Sequence, residues 1–333
     1  MNLRDISLNI YSFGYSAGFI KDNRNNNRHP DIALKDLPAL AIDHGLGGIE
    51  FPFDVYFPPH KIKDGLMFIK EVQERSLDVA IDFEKFDISY IREVVPYLAQ
   101  RGIKFFRVKM SGLYGGNRYK EPRFRSQIND FVSKIQSLTL LLKQTGVRLL
   151  IENHQDLGSY ELLDIISRTS NELVGVNWDI GNSLAVTETP DFFLSNTAGY
   201  IGNIHLKDYQ LVRSEKGFGL VRCSLGEGVV DFKNLLKSIN LRYGKIPMSI
   251  ELGAQNTRYA DIFVKQYWEE YPSQTVLDKI DFFKLIWSSI DNRADWSTPW
   301  ERGAPEKEIS ANEMIDLKKS VEFLRQIELN DET

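Results

Sequence analysis

Four short runs in this chain turn from apolar residues to a metal-ligand side chain. They are Arg148-Leu-Leu-Ile-Glu152, Val174-Gly-Val-Asn-Trp-Asp179, Ile201-Gly-Asn-Ile-His205 and Ile246-Pro-Met-Ser-Ile-Glu251. Short apolar runs with β-branched residues read as buried strands. In a closed parallel barrel the C-terminal ends of all strands meet at one mouth, where barrel chemistry sits. A chain with strands that end this way therefore gathers Glu, Asp and His at one place if it closes.

The rest of the sequence supports closure. Further strand patterns lie at residues 6–13, 48–53, 79–83 and 105–110. Helical patterns alternate with them at 32–44, 62–75, 88–100, 125–144, 160–168, 191–200 and 231–243, and one more falls between 259 and 290. Eight strands alternating with eight helices predict an α/β fold, a (β/α)8 TIM barrel, over residues 1–290. A doubly wound open sheet would need a phosphate-binding glycine turn after an early strand, and none is visible. Asp191 and Asp231 stand where helix N-caps belong, and Gly45, Gly102 and Gly146 where helices stop. Residues 291–333 break the pattern. The stretch Asp295-Trp-Ser-Thr-Pro-Trp300 reads as loop, and 310–328 as a final helix capped by Ser310. This extension is expected to pack on the barrel or on a partner subunit.

Glycine-containing loops follow several strands and should face the mouth. Residues 14–30 carry Lys21, Arg24 and Arg28; residues 111–124 and 209–230 read as candidate mobile lids. With 42% apolar residues and a formal charge of -5, the chain is an ordinary globular one with no global pull toward nucleic acid or anionic membrane. A single cysteine, Cys223, excludes an intrachain disulfide and fits a reducing cytoplasm. No secretory signal or membrane-spanning run is visible.

Strand residues alternate faces, so Glu152 and His154 share one face, His205 and Lys207 another, and Ser249 and Glu251 a third. One such Glu is more often an ion-pair partner, and one such His a structural hydrogen-bond donor. Four of them on four successive strands point to a divalent-metal site made by Glu152, Asp179, His205 and Glu251. Three carboxylates and one imidazole suit Mn2+, Mg2+ or Co2+, with Zn2+ also accommodated. Supporting candidates for substrate contact are His154, Lys207, Lys109 at the end of the fourth strand, and Glu50 at the end of the second.

Ile151-Glu-Asn-His154, Trp178-Asp-Ile-Gly-Asn182, Ile204-His-Leu-Lys-Asp208, Leu225-Gly-Glu-Gly-Val-Val-Asp-Phe232 and Ile250-Glu-Leu-Gly253 together resemble the xylose isomerase-like superfamily of sugar phosphate isomerases and epimerases. Gly47-Gly-Ile-Glu50 fits its second strand. The resemblance implies that Glu152, Asp179, His205 and Glu251 bind one divalent ion. It also implies that Glu152 and Glu251 act as an acid/base pair on opposite faces of a carbohydrate, through a metal-stabilised enediolate. Asn182 stands where the family's epimerases often carry a second His, and Lys207 and Arg213 flank the place of a substrate-binding Arg.

The leading expectation is thus a metal-dependent isomerase or epimerase of a sugar, sugar phosphate or keto-sugar, acting in the cytoplasm as a homo-oligomer. A lyase or dehydratase on a keto-sugar, keto-glycoside or inosose would use the same site. An abasic-site nuclease, with Arg118, Lys120, Arg123 and Arg125 on a phosphate backbone, is disfavoured by the few histidines and the negative charge. A non-catalytic barrel that keeps the metal site for sensing or assembly is a further alternative.

Overall fold

The computed structural model describes residues 2–20, 29–170, 172–253, 255–271, 275–291 and 296–331, with side chains to residue 328. Arg24, Arg28 and Lys21 of the first loop, and Asp295, lie outside the described residues.

Eight parallel strands close a barrel in the order β1-β10-β7-β6-β5-β4-β3-β2. They are β1 (Ile6–Asn9), β2 (Gly48–Pro52), β3 (Asp78–Phe83), β4 (Phe105–Val108), β5 (Arg148–Glu152), β6 (Val174–Asp179), β7 (Ile201–Leu206) and β10 (Met248–Ile250). Around them run α1 (Leu37–Asp43), α2 (Phe53–Tyr56), α3 (Ile62–Glu74), α4 (Ile88–Gln100), α5 (Phe124–Ser137) and α6 (Thr139–Thr145). They continue with α7 (Ser159–Thr169), α8 (Pro190–Thr197), α9 (Phe232–Tyr243), α10 (Lys265–Glu269), α11 (Val276–Ser289) and α12 (Glu306–Asp331). The expected TIM barrel is present.

Strand residues that point outward are apolar: Leu8, Ile49, Phe51, Ile81, Phe83, Phe106, Val108, Ile151, Val176 and Ile204. They form one buried core with Leu37, Ile69, Val94, Leu142, Ile165, Phe193 and Leu236 of the helices. The alternate residues point inward and are polar toward the mouth, among them Asn9, Glu50, Asp82, Arg107, Glu152, Asp179 and His205, with Leu150 and Ala80 deeper in the barrel.

Several local expectations change. The expected helix at 125–144 is two helices separated at Leu138. Helix α8 is capped by Thr189, whose side chain accepts from the Phe192 amide, with Pro190 in its first turn; Asp191 is not its N-cap. Asp231 does cap α9. The first strand pairs only through Asn9, and residues Ile10–Phe13 turn as a 3-10 helix.

The expected lid at 209–230 is instead a β-hairpin, β8 (Tyr209–Ser214) antiparallel to β9 (Gly217–Arg222), followed by a turn. With β11 (Arg258–Ala260) and β12 (Ile290–Asp291) it makes a second sheet of order β11-β9-β8-β12. This sheet has its own core, in which Phe218 and Leu220 meet Tyr267 and Phe282. The turn after it is pinned by Asp208, whose carboxylate accepts from the amides of Gly226, Gly228 and Val230. A Cβ on Gly228 would sit 2.2 Å from Asp208 Oδ1, which explains the glycine.

The final helix starts at Glu306, just after Pro305, with acidic residues in its first turn. Ser310 is therefore inside it and donates to Asp31 Oδ2 at 2.6 Å. Leu317, Val321, Leu324 and Ile327 of α12 join the barrel core. Trp300 packs on Tyr15 at 5.6 Å and Trp296 on Tyr259 at 6.2 Å between ring centroids.

Candidate metal centre and substrate cleft

Strand register explains why the four expected ligands meet. Asp179 on β6 lies beside His205 on β7, and His205 lies beside Ser249 on β10, two residues before Glu251. Glu152 on β5 lies beside Asn177, two residues before Asp179. All four side chains therefore share the inward face at the C-terminal mouth. One ligand atom from each lies within 4.8 Å of those of the others, and all four are buried.

Beneath them runs a connected polar network. His205 Nε2 meets Glu50 Oε1 at 2.8 Å across the barrel, and His205 Nδ1 approaches Glu251 Oε2 to 2.9 Å. Asn9 Nδ2 also donates to Glu251 Oε2, at 3.2 Å. Lys207 Nζ donates to Asp179 Oδ2 and, at 2.7 Å, to Glu251 Oε1. Arg107 reaches Asp82 through Nε at 3.1 Å and Glu152 Oε2 through Nη1 at 3.2 Å. Gly253, with φ +76°, gives the Lys207 stem its room: a Cβ there would stand 3.0 Å from Lys207 Cε.

Electrostatics follow from this packing. Burial disfavours an imidazolium, but Glu50 and Glu251 outweigh it and raise His205 well above its ordinary value. Burial would raise Glu50, yet His205 holds it down at about 2. Glu251 is likewise held well below its usual value, because Lys207 and His205 outweigh its burial. Asp179 goes the other way, to about 7, since burial together with Glu251 and Glu152 outweighs Lys207. Burial, helped by Lys109, Arg107 and Lys207, drives His154 well below the ordinary histidine value and keeps it neutral.

The donor set fits a divalent cation. Glu152 Oε1 is buried with neither a hydrogen bond nor an ion pair among the described residues, and Glu152 Oε2 is met only by Arg107. Five buried carboxylates, Glu50, Asp82, Glu152, Asp179 and Glu251, face three cationic groups, Arg107, Lys207 and His205. Burial raises Asp82 and Asp179, so protons meet part of this excess, and a divalent cation would take their place. Glu50, Asp82 and His205 form a second ligand-like group, sharing His205 with the first.

Above the acids opens a cleft of about 270 Å³. His154, Lys109, Lys207 and Asn182 line it, as does Glu251; Glu50 does not, and instead holds His205 Nε2. Lys109 is paired with Glu84 at 2.7 Å. Asn182 Oδ1 accepts from Gln155 Nε2 at 2.9 Å and from the Tyr209 hydroxyl at 3.2 Å. Arg107, Asp82, Gln155, Tyr209 and Arg258 were not expected from the sequence. Three of the four basic residues of 118–125 are paired within the fold: Arg118 is buried on Glu161, Lys120 pairs with Asp261, and Arg125 with Glu270. Arg123, the fourth basic residue of this stretch, is exposed and joins no described ion pair. Trp178 packs flat on Phe193 at 5.5 Å, as a core residue.

Comparison with known proteins agrees with this architecture. A family model for the xylose isomerase-like TIM barrel matches residues 38–284. The uncharacterized protein YihM of Escherichia coli K12 is 27% identical over 222 residues, 63% of this chain and 64% of YihM. The 3-oxo-isoapionate decarboxylase of Pectobacterium atrosepticum is 27% identical over 111 residues, 33% of this chain and 40% of the decarboxylase. These matches thus span less than two thirds of either relative. Among solved structures, the 3-keto-D-glucoside 4-epimerase YcjR of E. coli shares the fold, with a TM-score of 0.54 at 11% identity over 85% of this chain and 99% of that one. Among the described residues no helix is long and apolar enough to cross a membrane. With the barrel, its inward acids and a family match over most of its length, the chain belongs to the xylose isomerase-like TIM-barrel family.

Proposed function

We propose that this protein is a divalent-metal-dependent isomerase or epimerase of a carbohydrate, a sugar, sugar phosphate or keto-sugar. The observation that carries the reading is the convergence of Glu152, Asp179, His205 and Glu251 within 4.8 Å. These residues would hold the ion, and the oxygen-rich set favours Mn2+, Mg2+ or Co2+. A bound ion supplies Lewis acidity, drawing charge from substrate oxygens and acidifying the C–H bond beside them.

The chain's own groups supply the proton transfer. Glu251 lines the cleft and is kept ionised by Lys207 and His205, so its carboxylate can accept a proton from the carbon next to a carbonyl. Glu152, beside Arg107, would enter the cycle as the carboxylic acid and give its proton to the other face of the carbon or to its neighbour; solvent then reprotonates Glu152 and takes the proton from Glu251. Inversion is the first outcome and aldose–ketose exchange the second. Lys207 Nζ donates beside Glu251 and can steady charge that develops on a substrate oxygen. Asn182 and His154 shape the cleft that receives the sugar.

A lyase reading has one specific support, the segment shared with 3-oxo-isoapionate decarboxylase. In that reading an enolate formed by proton removal would expel a leaving group from the adjacent carbon, or loss of carbon dioxide from a 3-oxo acid would itself leave the enolate, which is then protonated. Proton NMR in D2O of the Mn2+-loaded protein with ketoses, keto-glycosides and inososes tests both. Solvent deuterium at one substrate carbon is expected, and Glu251→Gln should abolish its entry. Full exchange in that variant sinks the proposed role of Glu251.

A homo-oligomer is also supported. Val276, Leu277, Ile280, Phe283 and Trp287 form an exposed apolar stripe along α11, and Trp287 is 89% exposed. Contiguous exposed apolar side chains of this kind mark association surfaces. A second copy of this chain would cover it; a monomer in sedimentation at micromolar concentration would exclude that use.

A further inference from the structure

The cationic side chains of the cleft are not equivalent. Arg107 is engaged by Asp82 and Glu152, Lys207 by Asp179 and Glu251, and Lys109 by Glu84. Arg258 has no such partner. Its Nε is buried without a hydrogen bond, and no carboxylate pairs with its guanidinium among the described residues.

The Arg258 side chain is nevertheless fixed in place. Its guanidinium carbon lies 3.5 Å from the centroid of the Tyr114 ring. That ring packs in turn on the His154 imidazole at 5.1 Å. Strand β11, paired with β9, anchors the backbone of Arg258. Tyr114, His154 and Arg258 all line the same cleft as Glu251 and Lys207.

A stacked guanidinium keeps its planar edge of N–H donors free for a bidentate acceptor. Leaving a buried donor unfilled is unfavourable, so a ligand that fills it gains from the contact. A hydroxyl offers one weak acceptor, whereas a carboxylate or a phosphate offers two charged oxygens at the right spacing. We propose that Arg258 is an anion subsite and that the substrate of this cleft carries a carboxylate or a phosphate. The inference rests on the carbohydrate reading above and narrows it to anionic sugars. The acid cluster takes the reacting carbons, and Arg258 on its capping strand takes the charged end.

Isothermal titration of the full chain, loaded with Mn2+, tests this with three probes: D-fructose, D-fructose 6-phosphate and 5-keto-D-gluconate. One of the two anions should bind about 10- to 100-fold more tightly than D-fructose. Which one wins identifies phosphate or carboxylate as the recognised group. Arg258→Gln should bring that anion down to the level of D-fructose, and Arg258→Lys, which keeps charge but not the fork, should restore only part of the gap. Arg258 joins no described ion pair and gives up only its stack on Tyr114, so the variants should melt within about 2 °C of the parent, which separates loss of binding from loss of fold. No preference for either anion, or a preference that survives Arg258→Gln, overturns the subsite. Deuterium entry from D2O is followed in the same samples. Exchange without anion preference overturns the subsite alone, whereas anion preference without exchange keeps the subsite and overturns the isomerase reading.

Discussion

Replacing Lys207 by Met tests the charge arrangement of the site directly. Lys207 Nζ bridges Asp179 and Glu251, and all three side chains are buried. Met keeps the length and apolar stem but removes the only ammonium between two carboxylates. Breaking a buried pair from one side costs about 3–5 kcal/mol, since the remaining charges stay desolvated. Protonation of Asp179, which burial already lifts to about 7, limits the loss toward the lower figure. At roughly 2 °C per kcal/mol for a barrel of this size, melting in EDTA should fall by about 6–10 °C. Saturating Mn2+ neutralises the same carboxylates, so it should stabilise Lys207→Met by more degrees than the parent. Scanning calorimetry with and without metal reads both effects. If the variant melts with the parent in EDTA, the ammonium is not the counter-ion described and the reasoning fails. Equal metal responses would show that Lys207 and the ion do not share the carboxylates.

Two further outcomes follow from the same network. Glu50→Gln weakens the partner that fixes the His205 ring through Nε2, and Mn2+ affinity by titration should drop about 10- to 100-fold; parental affinity would count against that orienting role. Burial lifts Asp156 and Asp208 to about 6, and Asp179 and Glu188 to about 7, from ordinary carboxylate values. The folded chain therefore holds these protons longer than the unfolded one. The stability they contribute is complete below about pH 4 and is lost as pH rises through about 6 to 7. Urea midpoints of the metal-free protein should decline across that window, and a rise would contradict the assignment.

The metal-ligand positions were legible because a strand end is a topological address. Once a parallel barrel is inferred, Glu152, Asp179, His205 and Glu251 must meet at its mouth, and they do. Asp82 and Arg107 carried the same signal and were passed over. Ala80-Ile-Asp-Phe83 and Phe106-Arg-Val108 alternate polar and apolar residues as the ligand strands do, with the polar residue on the inward face. Reading the strands as apolar runs hid that alternation. The β8–β9 hairpin was missed for a different reason. Its turn, Ser214-Glu-Lys-Gly217, lacks the Asn-Gly or Asp-Gly pair that marks a tight hairpin, and its one glycine stands after the turn pair. Gln155, at φ +70°, adopts a left-handed backbone with no local cue, and only the assembled cleft reveals its bonds to Asn182 and Tyr209.

The C-terminal helix belongs to the site even though no residue of it lines the cleft. Glu313 on α12 is buried and accepts from the amides of Tyr15 and Ser16, both at 2.9 Å, and from Gln255 Nε2 at 3.0 Å. Arg222 stands beside it and donates to Ser12 and Gly253 carbonyls, while its Nε pairs with Asp316 of the same helix. The segments after β1 and after β10 are thus tied to one carboxylate, and both contribute cleft-lining residues, Gly14 and Ile20 from one and Gly253 from the other. Glu313→Gln keeps the shape but presents an amide N–H2 to one of the backbone donors. The unmet donor costs about 1–3 kcal/mol, and it falls on these segments, not on the barrel strands. Hydrogen exchange should therefore accelerate about 5- to 100-fold at Tyr15 and Ser16 while β5 and β6 keep their protection. Glu313→Asp, which retains both oxygens on a shorter stem, should recover part of the protection. Unchanged exchange at Tyr15 and Ser16 in Glu313→Gln would mean that the helix merely covers the barrel and that the mouth holds its shape without it.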